Sequence, residues 1–216
     1  MALGAVVLTV ALLGAAGPFR QTQEFRAVVD CEHGLEDCFA REPATIAARR
    51  TYTTTSTSTD ANGHTSTTTT THYEVTWQRP DGQRQARDVG PEFYEKAREG
   101  LPADLRTWRG EVVGVEVMGA AAWFLPASGE SLSYWLYLAH LGLGMLLWGL
   151  IFGWWDGFFM LIFRGFAWMF LSFIPVHLLT QSLAFGLEPG VGLVVEIGFG
   201  LAFLGIAGWM LISTLD

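Results

Sequence analysis

Apolar and polar positions divide this chain into three stretches. Residues 2–17, ALGAVVLTVALLGAAG, are apolar and uncharged. As a helix they would reach ~24 Å, short of a ~30 Å hydrocarbon core. Two readings fit: a short uncleaved anchor, or a signal peptide with a small-residue site at Gly14-Ala15-Ala16. No Lys or Arg precedes the run, which favours the anchor. Residues 18–130 mix polar and apolar positions and hold every Lys and Arg except Arg164. From residue 131 the chain turns apolar again, in runs at about 132–153, 158–185 and 190–214, with a kink expected at Pro175. The links GWWDG and GLEPG are short, so neighbouring helices should be antiparallel. With the first segment retained, four helices would place both termini on one side.

Within 18–130, Pro18 to Pro43 shows no periodicity and reads as irregular, with β structure starting near Ala44. Next comes TYTTTSTSTDANGHTSTTTTTHYEVTW, Thr51 to Trp77. Threonine is β-branched and favours strands, whereas disordered segments are rich in Pro, Glu, Ser, Gln, Lys and Gly. DANG is a turn cluster in which Asn62-Gly63 can supply positive φ, and HYEVTW alternates with period two. The pattern predicts a long hairpin, 50–59 paired with 64–78, whose tip is polar on both faces and stands outside any core. The competing reading is a disordered Thr linker. RPDGQ then makes a second turn into a strand at 83–89. Pro91 opens a short helix that stops at Gly100, and RTWRGEVVGVEVMG reads as a strand pair or a bulged strand. The expected fold is α+β: a small antiparallel β domain, a partly open barrel or sandwich with one helix, plus a transmembrane helical hairpin bundle.

Composition agrees with a membrane protein carrying a modest soluble part: 50% of residues are apolar and 16% charged. The formal charge is -8 with no basic cluster, which argues against nucleic acid or acidic lipid as the main partner. Cys31 and Cys38, in CEHGLEDC, are the only two cysteines. A close pair in an otherwise cysteine-free chain reads as a disulfide formed in an oxidising compartment, the alternative being two reduced thiols. Their spacing is too wide for a zinc C-x₂₋₄-C, and no second ligand pair follows.

Over Ala44–Gly119, YEVTWQRPDGQRQARDV followed by FYEKAREGLPADLRTWRGEVVGVEVMG resembles a group of uncharacterised actinobacterial membrane proteins. Their soluble domains run strand, Gly-containing turn, strand, short helix and a W-R-G-x-V-V strand. The resemblance implies an integral membrane protein with a small extracytoplasmic β domain and carries over no catalytic residue. The Thr-rich hairpin departs from the pattern. Two cues to sidedness disagree. The cysteine pair and Arg164, close to the GWWDG turn, put the domain outside and that turn inside; Arg20 and Arg26 argue weakly the other way. Long domains translocate largely regardless of charge, so the expectation is a multi-pass cell-membrane protein with its domain outside.

Motifs for metalloproteases, serine hydrolases, P-loops and C-x-x-C redox sites are absent. The sharper clues are polar residues within apolar runs, where they are expensive. His140, His177 and Glu196 are each expected ~9–12 Å below the outer surface. As a cluster they would bind a divalent metal or a proton; otherwise they are interhelical hydrogen-bonding groups, the commoner use of such residues. Gly192, Glu196 and Gly200 share one helical face, and Gly149, Gly153 and Gly157 form a small-residue run suited to a homodimer face or to packing within one chain. Arg164 is expected to snorkel toward the inner interface. His64 and His72 flank the Thr run, are expected near one another on opposite strands of the hairpin, and read as exposed polar residues in preference to a metal site.

The leading expectation is a non-enzymatic protein, without a cofactor, held in the lipid bilayer. It presents its β domain to an envelope protein or to another copy of itself. The alternatives are a membrane-embedded metal- or proton-binding protein using His140, His177 and Glu196, and a pore-forming oligomer.

Overall fold

The computed structural model describes residues 2–33, 38–59, 63–151 and 158–186, together with Val194, Ile197, Gly198, Gly200–Ala202 and Gly205. The chain divides into two compact units, Asp37–Phe124 and the remainder, Met1–Glu36 with Leu125–Asp216.

The first is a β unit. Its strands are β1 (Ala40–Thr59), β2 (Thr65–Gln78), β3 (Arg84–Val89), β4 (Pro102–Trp108), β5 (Glu111–Val117) and β6 (Ala120–Trp123). All six form one antiparallel sheet in the order β3-β2-β1-β4-β5-β6. Two three-stranded meanders thus lie side by side, joined through β1 and β4. Among the described residues there is one open sheet and no second one to form the sandwich; its edges β3 and β6 share no ladder, so the sheet is open, as the partly open alternative expects.

Local chemistry explains the turns. Gly82 takes φ +86 in the Arg79–Gln83 turn, where the Asp81 carboxylate accepts the Gln83 N–H at 2.8 Å. Arg109-Gly110 and Met118-Gly119 both have positive φ at each residue, the geometry that matches the twist of a two-residue hairpin. Pro43 is paired only with β4, since the β1–β2 ladder begins at Thr45, so its missing N–H costs no bond on that side. A bulge between Ile46 and Ala48 lets Ile46 stay buried while its backbone bonds Gly100 and Leu101.

One face of the sheet is covered by α1 (Pro91–Lys96). Pro91 occupies its first turn, where a missing N–H is harmless, and Phe93 points into the core. Ile46, Val75, Trp77, Leu105, Val112, Val115 and Val117 pack with it. The helix ends at Lys96, short of the expected stop at Gly100, and Gly100 instead takes φ +81 in the turn that returns to β4.

The second unit is helical: αA (Ala2–His33), αB (Ala127–Ile151) and αC (Phe158–Phe185). The stretch expected to be irregular from Pro18 is helical through His33, so the boundary expected at residue 17 lies inside αA. Thr22, Phe25 and Val29 are buried at helical spacing. The 158–185 helix runs as expected with Pro175 inside it, whereas αB begins at Ala127 rather than near residue 132. Within 190–214 the described residues Val194, Ile197, Gly198, Gly200–Ala202 and Gly205 are helical; the rest of that expected span lies outside the described residues.

αA and αB approach through glycine. A Cβ on Gly142 would come within 2.7 Å of the Leu8 backbone nitrogen, and one on Gly4 within 2.8 Å of that of Leu146. Gly14 lies under the Trp135 ring. Gly4 beside residues 142–146 and Gly14 beside residue 135 make the two helices antiparallel. Among the described residues, two helical segments, Ala2–Glu32 and Arg164–Phe185, are long and apolar enough to cross a membrane.

Candidate functional site

The hairpin is the most distinctive feature of the β unit. β1 and β2 pair from Thr45↔Gln78 to Thr59↔Thr65, longer at the base than expected. β4 flanks β1 only over Ala40–Thr45, and β3 flanks β2 only over Tyr73–Gln78. Beyond these limits the hairpin is a two-stranded ribbon, and every residue of Thr53–Thr59 and Thr65–Thr71 is exposed. At ~3.4 Å per residue it extends ~20 Å. Gly63, with φ +81, serves the tip as expected, while Asn62 lies outside the described residues.

The register sorts the side chains. Thr51, Thr53, Thr55, Thr57 and Thr59 pair with Tyr73, Thr71, Thr69, Thr67 and Thr65 on the face shared with Trp77. Ser56, Ser58 and Ser66 all fall on the other face. Hydroxyls bond across the ladder: Ser58 with Ser66 at 2.8 Å, Thr59 with Thr65 at 3.2 Å, Thr57 with Thr67 at 3.4 Å.

A uniform Thr ladder specifies its register weakly, because slippage by two residues restores similar neighbours. The base supplies the specification. On the serine-bearing face Tyr52 and His72 stack at 4.7 Å, and Arg50 pairs with Glu74 at 3.1 Å. The Tyr52 hydroxyl donates to the Asp88 carboxylate at 2.9 Å, joining β1 to β3. On the opposite face the Thr51 hydroxyl donates to the Tyr94 hydroxyl at 2.9 Å, and Arg49 lies 4.9 Å over the Tyr94 ring. Asp88, as acceptor and as a nearby negative charge, holds the Tyr52 phenol above its ordinary value of 10.0, so it stays protonated in mildly alkaline solution.

Thr54 Oγ1 lies 2.9 Å from His72 Nε2, and His72 Nδ1 lies 3.6 Å from Asp88. The order hydroxyl, imidazole, carboxylate is that of a nucleophilic triad. The His–Asp separation is too long for a hydrogen bond, Asp88 is engaged by Tyr52, and the face is open to solvent rather than shaped as a cleft. The cluster acts as a cross-strand clasp. An open hollow of about 520 Å³ lies nearby, between Val89–Phe93 and Ala121–Phe124, with Asp88 and Glu92 its only titratable lining residues.

Among the residues singled out from the sequence, Cys31 and Cys38 are disulfide-bonded. His140 Nε2 lies 2.8 Å from the Trp168 carbonyl, Trp168 Nε1 donates back to the His140 carbonyl at 2.9 Å, and the rings stack at 4.5 Å. This reciprocal clasp joins αB to αC and occupies one imidazole nitrogen. His177 is exposed, nine residues beyond Trp168 and so ~13 Å further along αC. The equal depth expected for the two histidines assumed a later start for αB. Glu196 lies outside the described residues; among the described residues no group of three His, Cys, Asp or Glu side chains forms a metal site.

Gly149 is half-buried on αB, and Gly200 faces αC, where a Cβ would meet Ile174 at 3.3 Å. Gly153, Gly157 and Gly192 lie outside the described residues. Gly144 receives the Trp168 indole, a packing role that Gly200's spacing signalled for its own helix. Arg164, expected to snorkel, is instead buried with its guanidinium 5.3 Å above the Trp148 ring.

Comparison with protein-family models, with curated proteins and with solved structures finds no match for this chain.

Proposed function

We propose that this chain is a multi-pass membrane protein that holds its β unit outside the cytoplasm and binds a protein partner through the Thr-rich ribbon. The observation that carries the reading is the ribbon itself: a folded, two-stranded projection with hydroxyls on both faces and no charge over Thr53–Thr59 and Thr65–Thr71, anchored at its base by eight polar and aromatic side chains. A segment kept only as a spacer would need no such clasp.

Two further features support the membrane placement. Ala2–Glu32 and Arg164–Phe185 have the length and hydropathy of spans. A signal sequence passes the same test, but αA meets αB through Gly4 opposite Gly142–Leu146 and Gly14 beneath Trp135, complementarity that a removed peptide would not require. The disulfide favours an oxidising compartment. Antiparallel αA and αB then put the 152–157 connection in the cytoplasm.

A reporter that folds and fluoresces only in the cytoplasm tests this placement. Fused after residue 156 it should be bright, and fused after residue 124 it should be dark. The reverse pattern would overturn the topology.

A further inference from the structure

We propose that the ribbon's partner is a second copy of this chain, paired antiparallel along the free edge of β1. This rests on the reading of the ribbon as the binding element and names its occupant.

An unpaired strand edge is a template for another strand, and proteins ordinarily guard such edges with Lys, Pro, bulges or inward charges. Beyond the Arg49 N–H, which meets Glu99 at 3.4 Å, the outer edge of β1 from Arg50 to Thr59 makes no backbone bond outside its own hairpin among the described residues. The corresponding edge of β2 is shorter, Thr65–His72, because β3 covers it from Tyr73. Residues 53–59, TTTSTST, contain no charge, no Pro and no Gly, although the whole chain carries -8. Two copies can therefore bring these edges together without like-charge repulsion at the contact.

The segment is also self-complementary. In a two-fold pairing centred on Ser56, Thr53 of one copy lies opposite Thr59 of the other, Thr54 opposite Ser58, Thr55 opposite Thr57, and Ser56 opposite itself. Every pair joins residues of the same parity, so each face continues unbroken: Thr against Thr on one, Ser or Thr against Ser or Thr on the other. The result is a four-stranded hydroxyl-faced sheet built from two ribbons. A neutral edge of this kind gains little in dilute solution; confinement of both copies to one membrane raises their effective concentration.

The test uses the full chain in membrane vesicles with Ser56→Cys at the symmetry axis, and Thr68→Cys, its neighbour across the hairpin on the far edge, as comparison. Mild oxidation should convert Ser56→Cys from 23.8 kDa to twice that mass, reversibly on reduction, and leave Thr68→Cys unchanged. Ser56→Lys, which sets two positive charges against each other, should lower energy transfer between donor- and acceptor-labelled copies in the same vesicles to the level of unassociated chains. Absence of the Ser56→Cys dimer, or equal dimer from Thr68→Cys, would overturn the proposal. In that event, labelling of Ser56→Cys by an impermeant maleimide on intact cells leaves the ribbon as an external binding element for another protein; no labelling removes that reading as well.

Discussion

Replacing Trp77 with Ala should strongly destabilise the β unit. Trp77 is fully buried, pairs across the ladder with Ile46, and stacks on Phe124 at 5.7 Å. It joins β2 to the residues that follow β6, so its loss opens the core from both ends of the sheet. Truncating a buried Trp costs about 3–5 kcal/mol, against a total of roughly 5–15 kcal/mol for a domain. Trp77→Phe should cost far less. The indole Nε1 is buried without a hydrogen-bond partner, and removing an unsatisfied donor offsets part of the lost area. Urea unfolding of the full chain in detergent, followed by near-ultraviolet circular dichroism, should show a markedly lower midpoint for Trp77→Ala and a small shift for Trp77→Phe. Equal, small shifts would mean that Trp77 does not organise this core.

Gly142→Ala is expected to be nearly as damaging to the helical unit. The added Cβ would meet the Leu8 backbone nitrogen at 2.7 Å and its Cα at 3.0 Å, and backbone cannot rotate aside as a side chain can. αA and αB must then separate along their shared contact, also releasing the approach of Gly4 to Leu146. Overpacking of this kind costs about 1–3 kcal/mol. Gly165→Ala provides the opposite sign: nothing lies within 4 Å of the new methyl, and alanine favours a helix over glycine by about 1 kcal/mol. Thermal unfolding in mild detergent should rank Gly165→Ala at or above the parent and Gly142→Ala clearly below it. An unchanged Gly142→Ala would place αA away from αB.

The hairpin was legible because its signals agree: β-branched residues on both arms, a Gly-containing tip, and period-two alternation in HYEVTW. The apolar runs marked αB and αC by length alone. The second half of αA was hidden because Pro18, Arg20, Glu24 and Arg26 obscure the buried spacing of Thr22, Phe25 and Val29, and proline at position 18 reads as a stop although the helix continues through it. β6 was missed because Ala120–Ala122 carry little strand preference and Met118-Gly119 is not a turn pair that announces itself. Within the candidate site, the run of Thr and Ser has no readable period until the register is known. Only then do the serines fall on one face and Tyr52, His72 and Asp88 come together. The partners of His140 were out of reach for a different reason: they are a backbone carbonyl and an indole, neither of which a motif spacing encodes.

The central claim is that the β unit and its ribbon lie outside the cytoplasm. Thiol labelling of Cys31 and Cys38 in intact cells tests it most directly, with a membrane-impermeant maleimide applied with and without prior reduction by an impermeant reductant. The account predicts no labelling of the oxidised pair, and labelling of both cysteines once the outside is reduced. Protection in either redox state until the cells are lysed would contradict it, placing the β unit in the cytoplasm and inverting every span.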